Sequence, residues 1–349
     1  MHKNEDEIGI KEEIAIFQKV FNGLCDEIGK EIVGNREIIK AVLTAFFAGG
    51  HVLLEGVPGL GKTLLVKSLS KALGFNFNRI QFTPDLMPAD IIGTQIVVER
   101  SEGRKEFEFS AGPIFSNIIL ADEINRATPK TQSAMLEAME EGQVTVSGKT
   151  HILVNPFFVL ATQNPIEMEG TYTLPEAQLD RFFFKVNLSF PDSNELKQIL
   201  RQTTVNEKYA IQPLFDQKNA ATKVAEMKKL VRNVLVSSKV EDYVVKIISM
   251  THPDSPEISS QTSGRDDTID LIKRYVTYGS SPRGAQSVVL AAKVRALLDN
   301  RANISYDDVD KVAVDSLNHR LLLNFEADAD SIKSKDIIES ILEKAKESR

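Results

Sequence analysis

The pattern of apolar and polar positions divides the chain into two parts. Between residues 51 and 190, short apolar runs alternate with segments in which apolar residues recur at helical spacing. Short apolar runs bounded by polar residues are typical of buried strands, and their alternation with helices predicts an α/β fold with a parallel sheet covered on both faces. Five strands are predicted, at residues 51–55, 79–82, 117–121, 157–162 and 182–188.

Helical periodicity dominates on both sides of this region. Near the N-terminus, Ile14, Phe17, Phe21, Leu24 and Ile28 recur at helical spacing, and residues 36–48 predict a second helix. Beyond a predicted boundary at about residue 190, helices are predicted at 195–202, 225–237, 242–251, 283–300 and 305–321, with a loop at 253–267. The segment 331–347 fits either a charged surface helix or a frayed tail.

The same pattern predicts a domain organisation. It comprises an α/β core with N-terminal helices at 1–190, an all-α domain at 191–325, and a charged C-terminal helix or tail at 326–349. Two hairpin insertions are predicted within the core. One pairs residues 93–98 with 105–109, and the other pairs 143–146 with 150–154 across a turn at 147–149.

Composition and charge narrow the class of protein. Of the 349 residues, 42% are hydrophobic and 26% are charged, which is typical of a soluble globular protein. No secretory signal or membrane-spanning run is visible, so we expect a cytoplasmic protein without membrane insertion. The single cysteine, Cys25, lies in an apolar helical pattern and fits a buried thiol. A net charge of −7 argues against non-specific binding of nucleic acid.

A glycine-rich segment joins the first predicted strand to a helix predicted at 64–73. It consists of Gly56, Val57, Pro58, Gly59, Leu60, Gly61, Lys62 and Thr63, and fits the nucleotide-binding pattern G-x-x-x-x-G-K-T in its required strand–loop–helix context. Backbone N–H groups of such a loop close around phosphate oxygens, the lysine reaches the β and γ phosphates, and the threonine hydroxyl can ligate Mg²⁺. We therefore predict that this segment, with Leu64, binds ATP; a turn that binds nothing is the alternative.

Two acidic residues follow the third predicted strand. We expect Asp122 to complete the Mg²⁺ site with Thr63, and Glu123 to orient and deprotonate the attacking water. The alternative is an exposed acidic strand end that caps the next helix. Asn164 follows the fourth predicted strand, where its amide could hydrogen-bond the γ phosphate or the water, although an Asn-Pro pair after a strand is usually a turn.

These motifs, in this order, resemble those of the MoxR family of AAA+ ATPases. The matching segments are 56–63, 120–126, 161–165 and 174–182, and the resemblance covers roughly residues 30–325. It implies an AAA+ core followed by a helical lid, and a ring of subunits, usually a hexamer, in which each nucleotide lies between two neighbours. The two hairpins resemble insertions that in relatives project towards the pore of the ring or a partner-binding face; solvated hairpins without a partner are the alternative.

The resemblance also assigns residues outside the loop and the acids. Arg181 matches the arginine finger that one subunit gives to its neighbour's site; the alternative is an arginine paired with Asp180 or Glu176. Arg283 matches the sensor 2 arginine of the lid, in its own site or in the adjacent one, and is otherwise a surface residue. Val33 and Gly34 resemble the segment that contacts the adenine base, and a simple helix break is the alternative.

The motifs and this resemblance leave three functions to be weighed. MoxR relatives are ATP-driven chaperones that mature or activate a partner protein, usually one with a von Willebrand factor A domain, and often in connection with metal or cofactor insertion. A nucleic-acid motor related to the minichromosome maintenance helicases is disfavoured, because the chain has no basic run and a negative net charge. A slow nucleotide-dependent docking switch is disfavoured because Asp122, Glu123, Asn164 and Arg181 are all present.

Overall fold

The computed structural model describes residues 2–100, 105–165, 170–204, 210–259 and 267–347, with side-chain detail from residue 9 onwards. Its helices are α1 (His2–Gly29), α2 (Arg36–Ala48), α3 (Lys62–Leu73), α4 (Pro88–Ile92), α5 (Pro129–Glu141), α6 (Glu176–Leu179), α7 (Ser193–Thr203), α8 (Ala220–Asn233), α9 (Ser238–Met250), α10 (Pro256–Ser259), α11 (Asp267–Tyr275), α12 (Pro282–Leu298), α13 (Tyr306–Leu317), α14 (Phe325–Ala329) and α15 (Ser334–Lys346). Its strands are β1 (Val52–Glu55), β2 (Phe77–Gln81), β3 (Gly93–Glu99), β4 (Lys105–Ala111), β5 (Ile118–Asp122), β6 (Gln143–Val146), β7 (Lys149–Ile152), β8 (Phe158–Gln163), β9 (Phe184–Asn187), β10 (Val276–Tyr278) and β11 (Leu322–Leu323).

A five-stranded parallel sheet forms the centre of the α/β region, in the order β2-β5-β8-β1-β9. Alternate residues along its strands point to opposite faces. Leu54 and Leu120 face a core shared with α1, α2 and α3, whereas Leu53 and Ile119 face a second core with α5. Both faces are therefore covered, and the predicted α/β fold is confirmed.

The first core continues into the helical region without a break. Buried side chains of α8, α9, α12, α13 and α15 belong to the same apolar cluster as those of α1 and α2. Phe46 of α2 meets Phe47 and Phe158 at ring-centroid distances of 5.2 and 5.3 Å. One continuous interior thus joins the sheet to the C-terminal helices.

Several helices differ from the sequence prediction. α8 ends at Asn233 rather than near 237, because Val234 leaves the helical conformation and Leu235 bridges to Asn303. The predicted loop at 253–267 contains the short helix α10, while residues 260–266 lie outside the described residues. α11 and the small β10–β11 sheet were not predicted. The segment left open as a surface helix or a tail forms α15, which buries Ile337, Ile338, Ile341, Leu342 and Ala345.

Both predicted hairpins are present. β3 pairs with β4 from Gly93 with Ala111 to Glu99 with Lys105, and the turn that joins them lies outside the described residues. β6 pairs with β7 across a two-residue turn of Ser147 and Gly148, both with positive φ, so Lys149 belongs to the strand rather than to the turn. The hairpins touch where Phe109 stacks on His151, with ring centroids 3.8 Å apart.

No helix among the described residues combines the length and the apolar character that crossing a membrane requires.

Candidate nucleotide site

The predicted phosphate loop lies between β1 and α3, at the carboxyl edge of the sheet. Gly59 and Gly61 have φ values of +86° and +77°, and a Cβ on either would meet no atom within 4 Å. Backbone conformation, rather than crowding, therefore requires glycine at these positions. The space beside them is open, which is what an incoming phosphate group needs.

The side chain of Lys62 connects the end of the loop to its beginning. Its Nζ donates a hydrogen bond to the carbonyl oxygen of Gly56 at 2.6 Å, so the ammonium group lies across the loop opening. Lys62 is also the first residue of α3, whose N-terminal N–H groups have no partners within the helix. Helix N-terminus and ammonium group together form an anion-binding cradle with Thr63 in the first turn. The residues present thus fit a Mg²⁺–nucleoside triphosphate, since Mg²⁺ takes few protein oxygens and completes its shell with phosphates and water.

Asp122 ends β5, next to the loop, and is buried. Its Oδ2 accepts hydrogen bonds from Arg79 Nε at 2.9 Å and Arg79 Nη2 at 2.6 Å, and its Oδ1 accepts one from the Thr162 hydroxyl at 2.6 Å. An exposed strand end, the alternative considered for this residue, is not what the structure shows.

Glu123 has an unusual backbone conformation, with φ of +57°, at the start of a short 3-10 helix (Ile124–Arg126). Its N–H donates to the Thr162 hydroxyl at 2.8 Å, while its Oε2 accepts from Gln81 Nε2 at 2.8 Å and Arg126 Nη1 at 2.9 Å. The side chain makes no capping bond to the following helix, so the capping alternative is wrong. A single hydroxyl, that of Thr162, connects both acidic residues.

Asn164 directly follows β8, which pairs with β5, the strand that Asp122 ends, and Asn164 is buried. The segment with Val33 and Gly34 lies beside α3, because Glu31 accepts a hydrogen bond from Ser68 of that helix at 2.5 Å. Gly34 has φ of +66°, a left-handed backbone conformation that favours glycine. All these candidates lie at or near the carboxyl edge of the sheet.

Arg181 lies at the opposite edge. It precedes β9, and Phe183 N donates to His51 O at 2.7 Å at the level where β1 begins. Its guanidinium Nε is 3.1 Å from Glu140 Oε2, at the end of α5. The pairing with Asp180 or Glu176 that the sequence allowed is therefore replaced by a pairing with Glu140.

Arg283 lies at this same amino edge rather than beside the phosphate loop of its own chain. Its Nη2 donates to Glu140 Oε1, and its Nη1 is 3.5 Å from Asp180 Oδ2. The candidate residues thus lie in two groups. The loop, Asp122, Glu123 and Asn164 lie at the carboxyl edge of the sheet, and Arg181 and Arg283 lie at the amino edge.

Sequence reasoning missed the partners of these residues. Arg79 and Gln81 lie in β2, next to β5, so their contacts with the acidic pair depend on strand order. A usable signal was present in Arg79, because a charged residue within a predicted buried strand requires a partner. Glu140 gave no such signal, because it lies in a helix end rich in acidic residues.

Two histidines at the amino edge are held neutral. Burial lowers the pKa of His51 to about 4, and its Nδ1 accepts from Val159 N at 3.1 Å while its Nε2 lies 3.1 Å from Met139 O. Burial and the nearby charge of Arg320 lower the pKa of His319 well below its usual value. Both rings therefore act as neutral hydrogen-bonding groups, His51 with Met139 and Val159, and His319 with Phe182 O.

Comparison with known proteins agrees with this geometry. Residues 51–184 match the family described as ATPase family associated with various cellular activities (AAA), and residues 270–341 match the AAA lid domain. The chain is 42% identical to the uncharacterised protein YeaC of Bacillus subtilis, over 92% of each chain. It is 41% identical to Chaperone MoxR1 of Mycobacterium tuberculosis, over 91% of this chain and 79% of that protein.

A solved structure shows the same fold. A proposed ATPase from Cytophaga hutchinsonii superimposes with a TM-score of 0.85 at 39% identity, covering 97% of this chain and 98% of that one. An AAA domain, a helical lid domain and near full-length similarity to a MoxR chaperone identify this chain as a member of the MoxR family of AAA+ ATPases.

Proposed function

We propose that this chain is an ATP-hydrolysing chaperone whose nucleotide site is completed by a second copy of the chain. The observation that carries the proposal is the placement of Arg181 and Lys62 at opposite edges of one parallel sheet. β1 and β9 pair in register from Val52 with Phe184 to Glu55 with Asn187. Four strand residues span about 13 Å, so an arginine before β9 that is paired at its own edge supports a neighbouring site rather than its own.

Within one subunit, the residues at the carboxyl edge hold the nucleotide. Lys62 and the backbone N–H groups of 56–64, except at position 58, which is a proline without one, bind the phosphates, with Thr63 and Asp122 as protein ligands of Mg²⁺ and Val33 and Gly34 beside the adenine base. When bound, Mg²⁺ neutralises charge on the phosphate oxygens. The hydrogen bonds of Asp122 to Arg79 and Thr162 fix the direction in which its carboxylate points.

Glu123 serves as the base that orients and deprotonates the attacking water. Its carboxylate is held by Gln81 and Arg126, so a shift of either partner changes the direction in which the carboxylate points. Asn164 contacts the γ phosphate or the water from β8. Positioning and charge neutralisation are what phosphoryl transfer requires of a protein, and these groups supply both.

Arg181 and Arg283 complete the site of the next subunit. Their shared position at the amino edge supports a trans role for both, with guanidinium groups that match the charge on the transferring phosphoryl group. A head-to-tail contact of this kind generates a ring when its rotation closes. The expected assembly is a closed ring, with a hexamer as the family's usual size.

The client of the chaperone is a second protein. Relatives bear the names Chaperone MoxR1 and, in Methylorubrum extorquens, Protein MoxR. We expect a partner with a von Willebrand factor A domain, whose maturation can include insertion of a metal or cofactor. The exposed hairpins offer Phe107 and Val97, a cross-strand pair, as apolar contact residues for that partner.

Mixing of two inactive variants tests this proposal. Glu123→Gln should bind ATP normally and stall turnover, while Arg181→Ala should fail in the neighbour's site. In a head-to-tail ring, a 1:1 random mixture makes about a quarter of the sites fully wild-type. Recovery of about that fraction of ATPase activity is expected; two variants that form rings together and recover nothing would refute the shared site.

A further inference from the structure

We propose that Glu140 is a positioning residue that holds Arg181 and Arg283 together for presentation to the neighbouring copy. Glu140 lies in the last turn of α5, and no pattern in the sequence marks it. The inference rests on the proposed shared site, and it adds a residue that acts through Arg181 and Arg283.

One carboxylate binds two guanidinium groups that come from different parts of the chain. Glu140 Oε2 is 3.1 Å from Nε of Arg181, which belongs to the connection between α6 and β9. Glu140 Oε1 accepts from Nη2 of Arg283, which lies in the first turn of the lid helix α12. The two oxygens of a single side chain therefore set the distance between an arginine of the AAA domain and an arginine of the lid.

Glu140 approaches the Arg181 guanidinium from the side of its stem. A guanidinium has five N–H donors in a rigid planar fork. The closest approach of Arg181 to Glu140 is through Nε, the donor nearest the side-chain stem. In the proposed arrangement the two terminal amino groups are then the donors that contact a phosphate of the neighbouring copy, where a bidentate contact is strongest.

The charges of the three side chains give a second reason to expect that Glu140 positions the two arginines. Arg181 and Arg283 carry like charges, and without an anion between them they would repel each other. Glu140 offsets this repulsion, while Asp180 holds Arg283 from the other side at 3.5 Å. Both arginines and Glu140 are about one-third exposed or more, so their ion pairs contribute little to the free energy of folding. The main effect of the carboxylate is therefore on where the guanidinium groups lie.

The first experiment compares Glu140→Ala and the isosteric Glu140→Gln with a Glu141→Gln control, which changes the adjacent exposed carboxylate. Misplacement of a catalytic group by about 1 Å can lower turnover by up to about a hundredfold. Both Glu140 variants should lose at least about tenfold in kcat. Binding of a fluorescent ATP analogue should stay within about twofold of wild type, because the variant's own phosphate loop is unchanged. The control should behave as wild type, and a kcat of Glu140→Ala within about twofold of wild type would overturn the inference.

The second experiment shows on which side of the shared site Glu140 acts. Mixed with Glu123→Gln, the Glu140→Ala protein should regain activity, because its intact phosphate loop meets intact arginines of the other variant. Mixed with Arg181→Ala it should regain none, because neither variant then supplies a complete arginine pair. Recovery in the latter mixture, or its absence in the former, contradicts the assignment of Glu140 to the arginine side.

Comparison of two of these mixtures separates the proposal of a shared site from the inference about Glu140. If Arg181→Ala and Glu123→Gln restore each other while Glu140→Ala and Glu123→Gln do not, the shared site stands and Glu140 is not part of it. If neither mixture recovers in assembled rings, the shared site itself fails and the inference about Glu140 falls with it.

Discussion

Arg320 of the lid donates its Nε to the Asp180 carboxylate of the AAA domain at 2.9 Å. The guanidinium is almost fully enclosed, with 2% of its side chain exposed, and also donates to the carbonyl oxygens of Asp180 and Phe182. Asp180 in turn accepts from the Ser281 hydroxyl at the start of α12. This half-buried carboxylate thus joins the two domains through two different lid elements.

Asp180→Asn should destabilise the protein strongly. It leaves the Arg320 charge buried without a counter-ion, and breaking one side of a buried ion pair costs about 3–5 kcal/mol. Urea denaturation measures the free energy of unfolding. Lys223→Ala is a suitable control, because its pair with Glu226 is exposed on both sides, and removing it should change stability by less than about 1 kcal/mol. A loss no larger than that of the control would contradict the bridging role of Asp180.

Thr162→Val should damage both stability and turnover. The fully buried hydroxyl donates to Asp122 and accepts from the N–H of Glu123, so a methyl group of the same size leaves two polar groups unsatisfied. The expected cost is about 1–3 kcal/mol in unfolding free energy, and at least about tenfold in kcat through loss of orientation.

The matched control for this change is Thr150→Val, on an exposed position of β7. Its unfolding free energy and kcat should stay close to those of wild type. If Thr162→Val turned over ATP at the wild-type rate, the hydroxyl would have no part in orienting the acidic pair.

Stability should fall in mild acid. The folded pKa of His51, about 4, lies below its usual value of 6.5, because burial disfavours the charged ring. Between these two values the unfolded state binds more protons than the folded state, so the contribution of His51 is complete above pH 6.5 and is lost as pH falls towards 4. The loss amounts to about 3 kcal/mol, and His319 shifts stability in the same direction.

Urea titrations at several pH values between 7.5 and 4 measure this dependence. In His51→Gln the slope of unfolding free energy against pH should be shallower than in wild type across this window, whatever the stability of the variant at neutral pH. Equal slopes in the two proteins would show that His51 takes up no proton on unfolding.

Phe107→Ala should separate partner binding from folding. The side chain is 75% exposed on β4, so its removal should leave the unfolding free energy within about 0.5 kcal/mol of wild type. In a Glu123→Gln background, which holds the ATP state, the variant should retain less partner protein from a host extract than Glu123→Gln alone. Equal recovery of the same partner would place the contact elsewhere.

Addition of DNA should leave the ATPase rate of the wild type unchanged, as expected for a protein client.

Local patterns predicted those parts of the fold that local forces determine. The predicted α2 has the bounds found in the structure, because Gly49 ends it in a left-handed conformation that glycine favours. The start of α8 was placed too late, because Ala220 and Val224 are buried only once the helix packs against α2. α15 could not be distinguished from a tail, since its apolar residues gain a partner only when α13 and α11 are in place.

Some residues of the candidate site could likewise be found from local sequence, and others could not. The phosphate loop and the acidic pair are each a run of consecutive residues, so short motifs were enough to mark them as candidates. Arg79 reaches Asp122 only through the pairing of β2 with β5, and Glu140 meets Arg283 only through the docking of the lid. Contacts of this kind depend on tertiary arrangement, and residue spacing carries no information about them.

The adjacency of Asp180 and Arg181 has a mechanical consequence. Asp180, which binds Arg320 of the lid, is joined directly to Arg181, which we propose to reach the next copy; in that proposal, a lid movement passed through Arg320 to Asp180 would also move Arg181. Because only one peptide bond lies between the two residues, little of the movement of Asp180 would be lost before it reached Arg181. If the proposed ring forms, the rigidity of this backbone link would determine how strongly ATP hydrolysis in one copy affects the site it shares with the next.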